Sequence, residues 1–226
     1  MLSMRGVSRI YRTEAVETRA LDDISLDVAE GEFVAVMGPS GCGKSTLLNI
    51  VGLLDAPSSG SYLFDGVEVT GLAEARLTEL RKRNIGFIFQ SFNLVDELSV
   101  RDNIELALLY HDVSAAERRR RVEEVMDKVG IAHRADHRPG QLSGGQQQRV
   151  AVARALVASP RLILADEPTG NLDTSNGEEV MRMLRTLNEE GATIIMVTHS
   201  PGHADFAGRV VNMLDGRILQ QRLRAA

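Results

Sequence analysis

The sequence has little of several features, and each scarcity excludes a class of protein. Its single cysteine, Cys42, excludes an internal disulfide and fits a reducing compartment. No apolar run approaches the roughly 20 residues that span a bilayer, and the N-terminus has no long apolar core of the signal-peptide kind. We therefore expect a chain that is soluble by itself, even if a partner holds it at a membrane. The net charge of −5 lacks the basic excess of a general nucleic-acid-binding surface.

The bulk composition is that of an ordinary globular protein. The 226 residues suit one large domain or a domain with a subdomain. A chain of this size buries about 70% of its unfolded surface, so it needs no disulfide or metal to hold a core. Its one dense basic cluster, residues 118–121, lies in a predicted helix and is followed by Glu123 and Glu124. We interpret that cluster as a solvated helix face rather than a nucleic-acid patch.

The strongest motif is a phosphate-binding loop. Residues 38–45 match G-x-x-x-x-G-K-[ST] at every required position, after the apolar run 33–37 and before a predicted helix from Ser45. Glycines let successive backbone N–H groups turn inward around an anion, and the helix start adds its positive dipole end. Lys44 is expected to reach the β- and γ-phosphates, and the Ser45 hydroxyl to ligate Mg²⁺. The predicted cradle comprises Gly38, Pro39, Ser40, Gly41, Cys42, Gly43, Lys44, Ser45 and Thr46.

Two members of this cradle have a plainer interpretation. Thr46 follows the metal-binding hydroxyl and is more typical of a packing or capping residue. Cys42 occupies a position that the motif leaves free, which favours a small tolerated residue over a redox group.

Four predicted buried strands end in groups suited to phosphate chemistry: the phosphate loop, Gln90, Asp166 with Glu167, and His199. In open α/β sheets, ligands bind at the carboxyl ends of the strands. Asp166 suits a Mg²⁺ contact, direct or through water, and Glu167 suits polarising the attacking water. His199 suits stabilising the γ-phosphate. The alternatives are that the two carboxylates cap the following turn and that the histidine is structural.

Two further features, residues 142–146 and Tyr11, each allow two interpretations from the local sequence alone. Residues 142–146 (LSGGQ) place a glycine pair before a helix predicted over 146–158, which is a second possible anion cradle or a plain glycine turn. A second cradle makes sense if it closes over a nucleotide bound to another copy, which would give a symmetric head-to-tail dimer. Tyr11 is equally typical of an edge-strand aromatic and of a nucleobase contact.

The order of predicted elements divides the chain. Strand patterns end near residue 90 and return after residue 159, and helical spacing fills the part between, notably over 100–110 and 115–129. We therefore expect an α/β core formed by residues 1–90 and 159–226, with a helical subdomain over 91–158, together making a single domain.

The motifs GPSGCGKST, Gln90, LSGGQ, LILADEP, NLD at residues 171–173 and His199 have the order and spacing of ABC transporter ATPase subunits. The chain resembles that family over nearly its full length. The resemblance implies a P-loop NTPase (RecA-like) core with an N-terminal antiparallel β region and an inserted α-helical subdomain that carries LSGGQ. It also implies ATP and Mg²⁺ as ligands and an active ATPase.

The family pattern implies a role for each matched position. Two subunits would sandwich two ATP molecules, each between one subunit's phosphate loop and the other subunit's signature segment, which comprises Ser143, Gly144, Gly145 and Gln146. Tyr11 falls at the base-stacking aromatic, Asp173 at the dimer interface, and Gln90 at a Mg²⁺ contact. Residues 90–98 would border the groove that receives a membrane permease.

At finer grain, IGFIFQSFNL and EPTGNLDT resemble the branch that includes LolD, MacB and FtsE. That branch implies a bacterial subunit on the cytoplasmic face of the inner membrane, paired with a permease in lipoprotein release or in peptide or drug export. The alternative is a soluble ABC ATPase acting on DNA or ribosomes. The absence of heptads between the two motifs, the single cassette and the mild acidity disfavour it.

Overall fold

The computed structural model describes residues 1–12 and 16–223 and contains two β-sheets. A four-stranded antiparallel sheet has the order β2-β1-β4-β5, and a six-stranded sheet has the order β10-β9-β3-β8-β7-β6. The strands are β1 (Leu2–Arg12), β2 (Glu17–Val28), β3 (Phe33–Met37), β4 (Ser59–Phe64), β5 (Val67–Glu68), β6 (Ile85–Ile88), β7 (Leu162–Asp166), β8 (Thr193–Val197), β9 (Arg209–Leu214) and β10 (Arg217–Leu223).

The helices connect these strands and cover the larger sheet. They are α1 (Lys44–Val51), α2 (Glu74–Asn84), α3 (Val100–Glu105), α4 (Ala115–Lys128), α5 (Gly144–Leu156), α6 (Thr174–Glu189) and α7 (Pro201–Ala204). Over residues 1–12 and 16–223, none of the helices combines the length and the apolar character that crossing a bilayer requires.

The larger sheet brings the polar strand ends to one edge. Strands β3, β8, β7 and β6 are neighbours and run parallel. Val36, Val197 and Asp166 are paired in one row across three of these strands. The loops that leave these strands therefore start side by side, which confirms the predicted α/β class.

Alternate residues of the parallel strands enter two different cores, because successive side chains in a strand point to opposite faces. On β3, Val34 and Val36 pack with α1 and the antiparallel sheet. Phe33 and Ala35 pack on the other face with α5 and α6. Both faces are thus covered, as parallel sheets require, and the uninterrupted apolar runs of β3, β7 and β8 follow from this.

Two helices begin earlier than the periodicity predicts. The helix expected to start at residue 146 begins at Gly144, because the Ser143 side chain accepts from the Gln146 N–H and the Gln146 side chain accepts from the Ser143 N–H. The glycine pair therefore lies in the first helical turn and not before it. The sequence also predicts a helix over residues 178–190, ended by Gly191. In the structure this helix begins at Thr174, because Asp173 caps it by accepting from the Asn176 N–H.

The segment predicted as one helix over 100–110 is shorter. Its α-helical part ends at Glu105, and a 3₁₀ turn follows over Leu106–Leu108. Between residues 91 and 158 the structure contains helices and no strands. Val150 of α5 and Ile163 of β7 nevertheless belong to one continuous apolar core. The division of the chain at residues 90 and 159 stays a prediction.

Candidate functional site

The phosphate loop joins β3 to α1 and closes around Lys44. Its buried side chain donates from Nζ to the carbonyl oxygens of Gly38 at 2.8 Å and Pro39 at 2.9 Å. Helix α1 buries Lys44, Leu47, Leu48 and Val51 on one helical face, and it also buries Ile50. The lysine is therefore the first residue of α1, with its side chain turned back into the loop that precedes the helix.

Two glycines allow this loop to pack closely on other strands. Gly43 has a φ of +101°, and a Cβ there would lie 2.3 Å from the Ala20 carbonyl oxygen. A Cβ on Gly38 would lie 2.3 Å from the Met213 carbonyl oxygen. A side chain at either position would force the backbone apart. Cys42 is buried in the apolar core that contains Val34 and Val36 of β3, and its Sγ lies 4.0 Å from Lys44 Nζ.

Asp166, Glu167 and His199 come together at the ends of β7 and β8. The Glu167 N–H donates to the Val197 carbonyl oxygen at 3.0 Å, which fixes the start of the loop after β7. His199 Nδ1 lies 3.0 Å from Glu167 Oε2, a hydrogen bond when Nδ1 carries the proton. Glu167 also has a φ of +45°, an uncommon backbone conformation for a residue with a side chain. Such conformations cluster at functional sites.

Ser45 connects this carboxylate pair to the phosphate loop. Burial raises the pKa of Asp166, and the neighbouring Glu167 charge raises it further. A hydrogen bond with the Ser45 side chain and the charge of Lys44 act in the opposite direction. Asp166 is thus a half-buried carboxylate placed between a hydroxyl and a cation.

The loop between Glu167 and α6 is held at several points. Gln148, fully buried on α5, donates from Nε2 to the Pro168 carbonyl oxygen at 2.7 Å. Thr169 Oγ1 lies 2.8 Å from Nδ1 of His203, on α7. These contacts tie the backbone beside Glu167 both to the helix that starts at the signature segment and to the turn after β8.

Gln90 reaches the same loop. Its backbone carbonyl accepts from Asn171 Nδ2 at 3.0 Å, and its Nε2 donates to Asn171 Oδ1 at 3.4 Å. A Cβ on Gly170 would lie 2.6 Å from Gln90 Nε2, so the glycine is needed for this approach. Gln90 and the carboxylate pair therefore belong to one connected site.

Sequence analysis did not single out Gln148 or His203, and it named Asn171 only as part of the NLD motif, without a role of its own. One feature of the sequence indicates that Gln148 is buried: it lies four residues before the apolar Val152 and therefore on the same, buried helical face. His203 has no local pattern that marks it.

The signature segment lies beside the residues that lead into and begin α6. The nearest side chain to a Cβ on Gly144 would be Leu172 at 3.4 Å, and a Cβ on Gly145 would overlap Asn176 at 2.2 Å. Asp173 precedes α6 close to Asn176, and hydrogen bonds from Asn176 lower the pKa of Asp173. The Asp173 carboxylate therefore stays ionised. Within residues 1–12 and 16–223, no hydrogen bond joins residues 143–146 to residues 38–46.

Tyr11 lies near the end of β1, and the structure gives it two partners. Its hydroxyl donates to Asp55 Oδ2 at 2.8 Å, and the Arg9 guanidinium carbon lies 4.6 Å from the ring centroid. The residue is 39% exposed. The ring is therefore held at its hydroxyl and covered on one face.

Residues 21–170 match the family model for "ABC transporter". The chain belongs to the ABC transporter family. It is 51% identical over 226 residues to the macrolide export ATP-binding/permease protein MacB 1/2 of Paracoccus denitrificans, covering 100% of this chain and 34% of that protein. It is 49% identical over 218 residues to an ABC transporter ATP-binding protein of Thermotoga maritima, covering 96% of this chain and 93% of that one.

Two solved structures share the fold over 100% of both chains. One is the dimeric structure of MJ0796, a bacterial ABC transporter cassette, with a TM-score of 0.92 and 43% identity. The other is a dimeric post-hydrolysis state of MJ0796 bound to ADP and Pi, with a TM-score of 0.91 and 42% identity.

These relations confirm the predicted family, the fold class and the ATPase assignment, and give no support to the DNA or ribosome alternative. The chain spans about a third of the length of the MacB relatives that it matches.

Proposed function

We propose that this ABC cassette binds and hydrolyses Mg-ATP and drives conformational change in a membrane permease. One observation carries the proposal: the Glu167–His199 contact at 3.0 Å, beside Asp166, whose pKa is influenced by Ser45 and Lys44 of the phosphate loop. Phosphoryl transfer needs charge neutralisation and an oriented nucleophile, and these groups provide both.

In this proposal each side chain has a defined task. Lys44 binds the β- and γ-phosphates after leaving the carbonyl oxygens that it now contacts. Glu167 accepts a proton from the attacking water, and His199 holds the Glu167 carboxylate in place and stabilises charge at the γ-phosphate. The backbone N–H groups of residues 38–46 surround the remaining phosphate oxygens.

The residues at this edge of the sheet also fit Mg²⁺. The ion prefers oxygen ligands and takes few of them from the protein, because it shares the phosphates of its nucleotide. Ser45, Gln90 and Asp166 offer a hydroxyl, an amide oxygen and a carboxylate, and Ser45 is close enough to Asp166 to lower its pKa. When bound, the ion neutralises charge on the phosphate oxygens.

A second copy of the chain completes each site in this proposal. The signature segment starts a helix, which favours an anion there, yet its neighbours are Leu172 and Asn176 rather than the phosphate loop. A head-to-tail dimer would place Ser143, Gly144, Gly145 and Gln146 of one subunit against the γ-phosphate held by the other subunit. Asp173 would then lie at the subunit interface.

The permease partner fits a groove on the side of Gln90. A cavity of about 520 Å³ is lined by Phe87, Phe89 and Asn93, among others. Tyr110 also lines this cavity and is 81% exposed. Asn93 belongs to the stretch 90–98, which starts at Gln90, so partner movement can reach the catalytic loop through Asn171. The MacB relatives support a permease of the MacB, LolCDE or FtsX type and a place on the cytoplasmic face of the inner membrane.

The test is Glu167→Gln, which keeps the size of the side chain and removes its basicity. We expect ATP turnover to fall by a factor of about 100 or more while ATP binding stays within about twofold, since general base catalysis contributes about 10²–10⁴-fold. The measurements are phosphate release and equilibrium ATP binding. Glu178→Gln, an exposed glutamate on α6, is the control and should turn over normally. Normal hydrolysis by the Glu167 variant would remove this residue from the catalytic role.

A further inference from the structure

Arg9, Tyr11 and Asp55 form a cluster in which one carboxylate serves two partners. Asp55 Oδ1 lies 2.7 Å from an Arg9 Nη, and Asp55 Oδ2 accepts from the Tyr11 hydroxyl at 2.8 Å. Arg9 and Tyr11 are two residues apart on β1 and so lie on the same face of the strand. The Arg9 guanidinium therefore reaches both the carboxylate and the Tyr11 ring.

The anchor of this cluster is the end of helix α1. The Leu54 and Asp55 N–H groups donate to the Asn49 carbonyl oxygen at 2.8 and 3.3 Å, which folds the chain back onto the helix after its last turn. Asp55 Oδ1 also accepts from the Ala56 N–H at 2.8 Å. The carboxylate that holds Tyr11 thus lies in the turn just after the helix that begins with Lys44.

A second contact fixes the backbone of β1 to the same segment. The Ile10 N–H donates to Ser58 Oγ at 3.0 Å, and the Ser58 N–H donates to the Ser8 carbonyl oxygen at 2.8 Å. The backbone just before Tyr11 is therefore bonded to Ser58, and the Tyr11 hydroxyl is bonded to Asp55.

This cluster is more than a pair of solvated surface charges. The Arg9 and Asp55 side chains are 24% and 23% exposed. Arg9 Nε is buried without a hydrogen-bond partner, which is unfavourable by itself. Contact of the cation with the ring face offsets that cost.

We propose that Arg9 and Asp55 are positioning residues that hold Tyr11 as a fixed stacking surface for the nucleobase of ATP. This inference rests on the proposed function, ATP binding at the phosphate loop, and on the base contact that the family pattern implies for Tyr11. Since Arg9 covers one ring face, the base stacks on the other. A ring that is already immobilised loses less side-chain entropy on binding than a free one. Because Asp55 lies in the turn that folds back onto the end of α1, the phosphate and base contacts are held by one continuous segment, residues 44–55.

The deciding variant is Tyr11→Phe, which keeps the aromatic ring and removes its bond to Asp55. We expect ATP to bind about two- to tenfold more weakly, from the cost of immobilising one side chain. Asp55→Ala should show a loss of the same size, and the double variant should lose no more than either single variant. Tyr11→Ala, which removes the stacking surface, should lose about tenfold or more. Binding is measured by calorimetry in EDTA, which stops turnover.

Inorganic tripolyphosphate separates the base from the phosphates. Because it has no base, it should bind all these variants as it binds the unmodified chain. Asp27→Ala breaks another ion pair of β1, with Arg5, and should leave both affinities unchanged. Wild-type ATP affinity in Tyr11→Phe and Asp55→Ala, with a loss in Tyr11→Ala, would overturn this inference alone. No loss in Tyr11→Ala would overturn the base contact itself. An equal loss of tripolyphosphate affinity would also overturn the inference, since the cluster would then act on the phosphate loop.

Discussion

At the scale of single residues, Gly43 and Gly66 distinguish two reasons for a glycine. Both have a positive φ, +101° and +75°. A Cβ on Gly66 would meet nothing within 4 Å, whereas one on Gly43 would lie 2.3 Å from the Ala20 carbonyl oxygen. Gly66 therefore serves backbone conformation alone, and Gly43 also serves close packing of the phosphate loop on β2.

We predict different costs for the two alanine variants. Gly66→Ala should lower the free energy of unfolding by about 1–2 kcal/mol, the cost of a left-handed conformation for a residue with a Cβ. Gly43→Ala adds a clash with backbone and should cost at least about 1 kcal/mol more, with loss of ATP binding. Urea unfolding and calorimetric ATP titration measure the two effects. Equal unfolding free energies and normal ATP binding in Gly43→Ala would contradict the packing argument.

At the scale of elements, the starts of α4 and α5 offer a matched pair of caps. Ser114 Oγ accepts from the Glu117 N–H at 3.2 Å, and Ser143 Oγ accepts from the Gln146 N–H at 3.3 Å. The two serines thus make the same capping contact. In the proposed function, Ser143 has the added task of contacting ATP bound to a second copy.

Ser114→Ala and Ser143→Ala should therefore differ in activity and not in stability. Each should lower the free energy of unfolding by about 1 kcal/mol, the usual contribution of an N-cap serine. Ser143→Ala should also lower ATP turnover by roughly tenfold or more, because a hydrogen bond to a charged group contributes about 1.5–3 kcal/mol. Denaturant unfolding and phosphate release at saturating ATP are the measurements. A turnover loss of equal size in both variants would assign the effect to helix stability.

The sequence predicts elements well where local pattern and tertiary environment agree. The apolar runs of β3, β7 and β8 are buried on both faces, so each strand shows in the sequence as an unbroken run. Turn formers between flanking strand patterns likewise locate the hairpins at residues 65–66 and 215–216.

Prediction from the sequence fails where a capping side chain sets the first residue of a helix, and where contacts join distant parts of the chain. The starts of α5 and α6 depend on caps by Ser143 and Asp173, and periodicity is insensitive to caps. Contacts such as Gln148 with Pro168 and Tyr11 with Asp55 join residues 20 and 44 positions apart. They depend on how the elements pack, which no local pattern encodes.

At the scale of the whole molecule, the two predicted halves of an ATP site lie in different places. Lys44 lies at the end of the loop that follows β3. Ser143 caps α5 beside the segment that leads into α6. A dimer with twofold symmetry would bring them together twice, since each subunit would present both surfaces. Each complete site would then contain one Lys44 and the other subunit's Ser143.

Mixing two inactive variants tests this arrangement. Lys44→Ala and Ser143→Arg should each abolish turnover alone, because every site in either dimer carries one defect. In a mixed dimer, one site carries both defects and the other carries none. An equal mixture should therefore recover up to about a quarter of the normal rate, since random pairing makes half of the dimers mixed and each has one intact site of two. Phosphate release is the measurement, and the control adds the chain with both substitutions to either single variant, which should recover nothing. If the mixture stays as inactive as its components, the sites are not shared between subunits.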